Sequence, residues 1–304
     1  MTDFLDFIDD DDDDDEEEGV DANESMLSLL ASRPSSCGVR PFKQRCLAFI
    51  SVISQVSHLS ITYCLQVLQF HNGIEESLLL TIERNTSLTT ASEVLDAVDH
   101  FSYSKHWMMH IGPVKGKILD DVILQAQGIE NKPLVCVEIG SYCGYSTVRI
   151  ASQFNNDTSI IYSIEREPTC CSWTNRLCNK AGVSSKVCIL EGGVEAGIET
   201  LLTKNVQIDI LFIDHDKIKY LDDLKLFEAA GLLVSPGAIV VADNILSFGV
   251  PLADYLEHVR RPVGEGGLYK SSVLHRRTVE YSTVSDCVED GNELEDGIEI
   301  SVLN

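Results

Sequence analysis

Basic residues are scarce in this sequence: its 304 residues include 23 Lys and Arg against 48 Asp and Glu, a formal net charge of −25. Nucleic-acid binding requires clustered Lys and Arg that displace counterions from phosphates, and no basic stripe is visible. We therefore expect no nucleic-acid partner. Fourteen of the acids lie in residues 1–25 and seven in residues 281–304, so the stretch between them carries only about −4.

The sequence also lacks a C-x-x-C pair and a secretory signal at its start. Several of its ten Cys lie in apolar runs, as Cys136 does, which is typical of reduced, buried thiols in a cytosolic protein. We therefore expect structural cysteines. The adjacent Cys170 and Cys171 leave a redox switch as an alternative.

Residues 46–73 contain no Asp, Glu, Lys or Arg, and this length would span a bilayer. Ser, Thr, Gln and His residues interrupt the segment, however, and polar groups in hydrocarbon need partners. A buried or partner-covered helix is therefore favoured over a membrane anchor. We expect a cytoplasmic protein, with membrane association through residues 46–73 as the alternative.

The charge pattern predicts three regions along the chain. An unbroken acidic run over residues 9–18 cannot bury apolar surface, so residues 1–36 are expected to be a disordered acidic tail. A helical N-terminal extension is expected over residues 37–89 and a folded domain over residues 90–304. Within that domain, Ser92 is expected to cap a helix. The oligomeric state cannot be inferred.

Short apolar runs alternate with helical patterns through most of the domain. Because the runs lack polar alternation, they predict parallel strands covered by helices on both sides. The predicted strands lie at residues 134–140, 159–164, 186–190, 208–214 and 237–243, and the predicted helices at 146–153, 169–181, 195–204 and 220–230. Further strands near residues 271–275 and 298–303 would extend one edge. The sequence therefore predicts a doubly wound, Rossmann-like α/β fold with a seven-stranded, mixed but mostly parallel sheet.

In such folds ligands bind beyond the carboxyl ends of the strands. The first strand ends at Glu138, and Gly140 and Gly144 follow, which allows a tight turn close to a ligand. The spacing is not G-x-G-x-x-G, which disfavours a nicotinamide cofactor. The second strand ends at Glu165, a carboxylate that can accept hydrogen bonds from a ribose diol or can simply be a solvated helix-entry residue.

Acidic and amide side chains also end the fourth and fifth strands. Asp214 and Lys217 follow one, and Asp243 and Asn244 follow the other. Oxygen ligands from adjacent strand ends predict a Mg²⁺ site. The alternative is a helix cap at Asp214 and a turn at the other pair.

Four segments, at residues 137–146, 163–168, 212–220 and 240–244, resemble the small magnesium-dependent catechol O-methyltransferases that use S-adenosylmethionine. They read VEIGSYCGYS, SIEREP, FIDHDKIKY and VVADN. The stretch HWMMHIGPVKG, which precedes the first strand, is also similar to that family. The resemblance covers residues 90–304, which would then form the methyltransferase domain.

This resemblance implies a role for each matching residue. S-adenosylmethionine would be held through its methionine end, amino-acid portion and ribose by Met109, Ile111, Glu138, Gly140, Ser141, Tyr142, Ser146, Glu165 and Asp214. Mg²⁺ would be held by Asp214, Asp243 and Asn244. Lys217 would be the general base, with a pKa lowered near the metal, and Glu280 would hold the second substrate hydroxyl. The substrate site would consist of Trp107, Lys217, Asn244 and Glu280. Lys217 could instead be a surface lysine and Glu280 a strand-end ion-pair partner.

Several residues depart from the family pattern. Asp216 replaces a substrate-facing tryptophan, Phe248 lies near the position of a gating proline, and Val194 and Glu195 replace a Ser-Gln pair beside the adenine. An acidic insertion around residues 289–296 separates Glu280 from the last strand. The resemblance implies Mg²⁺-assisted methyl transfer from S-adenosylmethionine to a hydroxyl of a catechol-type vicinal diol, and these departures leave the exact acceptor open. Another diol, a phenylpropanoid acceptor or a non-catalytic scaffold are the alternatives.

Overall fold

The computed structural model describes residues 73–105, 108–246, 252–278 and 295–304, which fall within one compact unit, residues 71–304. The predicted acidic tail and most of the predicted N-terminal extension lie outside these residues. Eight α-helices are present in the described part of the chain: α1 Ile74–Arg84, α2 Ala91–Ser104, α3 Gly112–Gln127, α4 Tyr145–Ser152, α5 Pro168–Ala181, α6 Val194–Thr203, α7 Tyr220–Ala229 and α8 Ala253–Arg260.

All seven predicted strands are present and form one sheet. They are β1 Val135–Ile139, β2 Ile160–Glu165, β3 Val187–Glu191, β4 Ile210–Ile213, β5 Ile239–Ala242, β6 Tyr269–Thr278 and β7 Glu295–Leu303. Their order is β3-β2-β1-β4-β5-β7-β6, with β1 to β5 parallel and β7 antiparallel to both its neighbours. The predicted fold, a mixed but mostly parallel sheet, is confirmed.

The central strands are buried on both faces, which explains their continuous apolar character. On one face, Val137 and Leu211 pack in a core with side chains of α6, α7 and α8. On the other, Cys136 and Phe212 are equally buried. Helices α1 to α5 contact one another, and α7 contacts α6 and α8, so two helical layers cover the sheet.

The strand register aligns the carboxyl ends of β1, β4 and β5. Ile139 pairs with Ile213, and Ile213 pairs with Ala242. The next residues continue this alignment, because the backbone amide of Asp214 donates to the carbonyl of Ile139 and that of Asp243 to the carbonyl of Ile213, each at 3.0 Å. Strand order reverses between β1 and β4, and this is where doubly wound folds bind ligands.

The prediction that Ser92 caps α2 is wrong. Thr90 is the N-cap: its hydroxyl accepts a hydrogen bond from the amide of Glu93, and the Glu93 carboxylate accepts one from the amide of Thr90. This reciprocal capping box satisfies two amides that otherwise lack partners at the first turn. The helix therefore begins at Ala91, and its cap lies two residues before the predicted cap.

Six cysteines lie in the described residues, and all are free; five are buried and Cys188 is partly exposed. The burial predicted for the cysteines is confirmed for these five. Cys170 and Cys171 are both buried in α5, and burial raises the pKa of each thiol. None of the described helices combines the length and apolar character needed to cross a membrane. Residues 46–72 of the uncharged segment lie outside the description.

Candidate active site

The loop after β1 approaches the end of β4 closely. Gly140 has φ 90°, and a Cβ at this position would lie 2.6 Å from the carbonyl oxygen of Asp214. Gly144 has φ 86° and caps α4, where a Cβ would lie 2.8 Å from the Cα of Thr174. Only glycine allows both the backbone conformation and this contact. The two glycines therefore hold the loop tightly against the site edge of the sheet.

Glu138 is fully buried at the floor of this loop. Its Oε2 accepts hydrogen bonds from the hydroxyls of Thr147 at 2.5 Å and Ser163 at 2.6 Å. Its Oε1 is buried and has no hydrogen-bond partner among the described residues. Burial raises the pKa of Glu138, and nearby hydroxyls, including that of Ser146, partly oppose this shift. Glu138 Oε1 can therefore accept a hydrogen bond from a cationic group.

Glu165 anchors the same loop from the end of β2. Its Oε2 accepts from the amides of Ser141 at 3.0 Å and Tyr142 at 3.1 Å, and its Oε1 accepts from the amide of Glu167 at 2.9 Å. Tyr142 has φ 50°, and its hydroxyl donates to the buried Glu75 at 3.2 Å. Glu165 thus shapes the loop, and Oε1 retains acceptor capacity for a further donor.

Other residues expected to hold the cofactor lie around this loop. Ser141 is buried, and its hydroxyl accepts from Thr174 at 2.9 Å. Ser146 is buried in the first turn of α4. Met109 is partly exposed and Ile111 buried in the segment leading into α3.

Asp214, Asp243 and Asn244 lie at the adjacent ends of β4 and β5. Burial raises the pKa of Asp214 well above its ordinary value, and the neighbouring Asp243 carboxylate adds to this shift. Burial also raises the pKa of Asp243, despite the nearby Lys115. Asn244 adopts φ 57°, a conformation that asparagine tolerates better than most residues. The described part of the chain contains no group of three His, Cys, Asp or Glu side chains that could hold a metal ion. The predicted ligand set is of a different kind, because it consists of two Asp and one Asn.

Sequence reasoning missed two residues in this cluster. Lys115, from α3, donates to Asp243 Oδ1 at 2.7 Å and to Asp296 Oδ2 at 2.5 Å. Asn244 Nδ2 also donates to Asp296 Oδ2, at 2.7 Å. The sequence predicts Asp296 to lie in an acidic insertion, but it lies inside β7 and is 2% exposed. Strand β7 begins at Glu295, earlier than the strand predicted near residues 298–303, and therefore includes Asp296.

Lys217 begins a short 3₁₀ turn just after Asp214. Burial lowers its pKa, while Asp214 and Asp243 partly oppose that shift. The preceding residue, Asp216, is exposed. His215 contacts Asp223 Oδ2 through Nε2 at 2.7 Å and stacks on Tyr220, with ring centroids 5.3 Å apart.

Some predicted positions cannot be placed. Trp107, Glu280 and Phe248 lie outside the described residues. At the positions expected beside the adenine, Val194 is buried and Glu195 exposed at the start of α6. The structure therefore brings together the loop, the acidic cluster and Lys217, and the remaining substrate contacts stay predictions.

Comparison with known proteins identifies the family. A family model described as O-methyltransferase matches residues 84–264, more than half of the chain. The chain belongs to the O-methyltransferase family. Catechol O-methyltransferase B of Danio rerio is 35% identical over 223 residues, covering 70% of this chain and 76% of that protein. Catechol O-methyltransferase of Bos taurus is 35% identical over 217 residues, covering 71% and 75%. These matches confirm the predicted class of S-adenosylmethionine-dependent O-methyltransferase.

A solved structure supports the fold of this O-methyltransferase. TomG, an O-methyltransferase from Streptomyces achromogenes involved in Tomaymycin synthesis and solved in complex with SAM, aligns with a TM-score of 0.51 at 18% identity. The alignment covers 76% of this chain and 98% of TomG. At this level of identity the likeness concerns the fold alone.

Proposed function

We propose that this O-methyltransferase transfers the methyl group of S-adenosylmethionine to one hydroxyl of a catechol-type vicinal diol, with the assistance of Mg²⁺. One observation carries the proposal: Lys217 and the oxygen side chains of Asp214, Asp243 and Asn244 lie at adjoining strand ends, directly beside the glycine loop. A methyl donor and a general base must both lie within reach of one acceptor oxygen.

The residues around the glycine loop fit S-adenosylmethionine. The buried Glu138 Oε1 lacks a partner among the described residues, and the ammonium of the cofactor's amino-acid portion would supply one. Glu165 keeps acceptor capacity for a ribose hydroxyl at Oε1. Ser141 and Ser146 lie nearby to contact the same portion of the cofactor. When bound, S-adenosylmethionine supplies a methyl group activated by its positive sulfur.

The acidic cluster fits a hard divalent cation. Burial and the Asp243 carboxylate raise the pKa of Asp214, and burial and the Asp296 carboxylate raise that of Asp243, so a cation would relieve repulsion among these groups. Because Asn244 Nδ2 is engaged by Asp296, the Oδ1 atom of the amide is the one left for a metal. These oxygen donors are those that Mg²⁺ prefers. When bound, Mg²⁺ would stabilise negative charge on the acceptor oxygen.

Lys217 is suited to accept the proton that the acceptor hydroxyl loses. A phenolic hydroxyl ionises near about pH 10, so a base is needed near neutrality. Because burial lowers the pKa of Lys217, more of the neutral amine is available for this role. In the reaction a C–O bond forms as the C–S bond breaks, and Lys217 Nζ takes the proton. Glu280 would hold the second hydroxyl.

The test is a methyl-transfer assay on catechol, with Mg²⁺ added or chelated, using the full chain. Lys217→Ala is expected to lower kcat by roughly 10²–10⁴-fold while S-adenosylmethionine affinity barely changes, because a general base acts mainly in the chemical step. Lys219→Ala is the matched control, since Lys219 is an exposed lysine in the same 3₁₀ turn. Unchanged turnover in Lys217→Ala would remove this residue from the mechanism. Calorimetry showing no S-adenosylmethionine binding would favour a scaffold.

The acceptor requires a separate test. Asp216 is exposed where related enzymes place a tryptophan against the substrate ring, so another diol or a phenylpropanoid acceptor is the second candidate. Product formation over a panel of diols of increasing size distinguishes these acceptors. Cytoplasmic location remains a proposal, and cell fractionation of the full chain tests it against membrane association through residues 46–73.

A further inference from the structure

We propose that Asp296, together with Lys115, is a positioning residue that fixes the orientations of Asn244 and Asp243 so that their oxygens face a divalent cation. The inference rests on the proposed function, because it concerns the metal site named there.

The hydrogen bonds converge on one atom. Asp296 Oδ2 accepts from Asn244 Nδ2 at 2.7 Å and from Lys115 Nζ at 2.5 Å, and Lys115 bonds Asp243 Oδ1 at 2.7 Å. The side chains of Asp243 and Asp296 are 1% and 2% exposed and that of Lys115 is 12% exposed. Water therefore has little access to compete for these bonds. The four side chains form a connected chain of contacts, which we term the Asp296 network.

The network determines which end of the Asn244 amide faces the cation. An amide has two ends of nearly equal size, but only its oxygen can ligate a metal. The Asp296 carboxylate accepts hydrogen bonds and cannot donate them when ionised, so it holds the NH₂ end of Asn244 and leaves the oxygen end for the cation. Outer contacts of this type commonly decide ligand orientation and metal affinity.

The fold places Asp296 beside Asn244 through backbone contacts. Strand β7 runs antiparallel to β5, with Glu299 opposite Ala242. The amide of Ile245 donates to the carbonyl of Gly297 at 2.9 Å, which joins the segment after β5 to β7. Lys115 reaches the same point from α3. The ligands on β5 are thus oriented by side chains from two other elements.

Two simpler roles for Asp296 are compatible with the same contacts. Asp296 could attract a cation only by its charge, or it could be a structural ion-pair partner with no effect on the metal. Asp296→Asn separates orientation from charge, because a single amide oxygen can still accept from both Asn244 and Lys115. Asp296→Ala removes the acceptor altogether.

The experiment measures metal binding by the full chain without any acceptor substrate. Mg²⁺ is titrated by calorimetry, and Mn²⁺ by electron paramagnetic resonance, against wild type, Asp296→Ala and Asp296→Asn. Glu299→Ala is the matched control: Glu299 is a fully buried carboxylate on the same strand that pairs with Arg260 at 2.7 Å, outside the network. Thermal unfolding of each variant reports structural damage separately.

We expect Asp296→Ala to weaken metal binding about 10–100-fold. Asp296→Asn should lose less than about tenfold, and clearly less than Asp296→Ala, because it keeps both hydrogen bonds and gives up only the negative charge. Glu299→Ala should lower the melting temperature yet leave metal affinity within about twofold of wild type, because its ion pair lies outside the network. Should Asp296→Ala fail to fold, Asp296→Ser refills part of the space with a hydroxyl too short to hold both donors, and the same loss is expected.

Three results would overturn the inference while leaving the metal site intact: unchanged affinity in Asp296→Ala, an equal loss in Asp296→Asn, or an equal loss in Glu299→Ala. A wild-type chain that binds neither Mg²⁺ nor Mn²⁺ would instead overturn the metal-assisted part of the proposed function, and the inference with it.

Discussion

Substitution of Lys115 by methionine tests how much the ion pairs of Lys115 with Asp243 and Asp296 contribute to the stability of the fold. Methionine keeps much of the aliphatic length of lysine but leaves Asp243 and Asp296 buried without their shared cation. Removing one partner of a buried ion pair typically costs about 3–5 kcal/mol, mostly through the charge left unpaired. In a folded unit of this size each kcal/mol lowers the melting temperature by about 2–4 °C, so we expect a decrease of roughly 6–20 °C.

Thermal unfolding followed by circular dichroism, in metal-free buffer near neutral pH, measures this decrease. Lys132→Met is the matched control, since Lys132 also pairs with an aspartate, Asp209, at 2.7 Å, but its side chain is 56% exposed. Exposed pairs contribute at most about 1 kcal/mol, so the control should lose no more than about 4 °C. If the melting temperature of Lys115→Met falls no further than that of Lys132→Met, the buried contacts of Lys115 with Asp243 and Asp296 do not provide this stability.

Two further predictions concern the cofactor and the base. Glu138→Gln should weaken S-adenosylmethionine binding by roughly 10–100-fold in calorimetry, because a charge-assisted bond contributes about 1.5–3 kcal/mol; affinity within about threefold of wild type would contradict the role of Oε1. Since only the neutral amine accepts a proton, kcat should rise with pH through a pKa lowered from 10.5 at Lys217, and this rise should be absent in Lys217→Ala. A pH profile of kcat for both proteins measures it.

The strand pattern made most of the fold predictable from sequence. Apolar runs bounded by turn residues located β1 to β5, and the polar residue after each run located the site edge, because carboxyl ends of parallel strands share one side of the sheet. Helix α2 shows the limit of this approach. Ser92 and Thr90 are both acceptable caps, and the reciprocal bond to Glu93 that favours Thr90 is a matter of geometry.

The contacts around the predicted ligands could not be read in the same way. Asp296 lies in a stretch rich in acids, so its sequence context predicts a solvated loop. Lys115 is 181 positions from Asp296 in the chain, and no local pattern relates the two. Thr147 and Ser163 hold Glu138 but resemble ordinary helix and strand residues. Long-range pairing of this kind follows from strand order and helix packing, which must be known first.

The charges at the strand ends connect the base with the metal ligands. Asp214, Asp243 and Asp296 carry three potential negative charges, and Lys115 offsets one of them. If Lys217 is neutral, as a general base must be, two negative charges remain, which a divalent cation balances. Without a cation, burial raises the pKa of Asp214 and favours its protonated form, which reduces the repulsion among these carboxylates. A neutral Lys217 and a bound cation therefore support each other, because the cation supplies the positive charge that the neighbouring carboxylates would otherwise favour on a protonated amine.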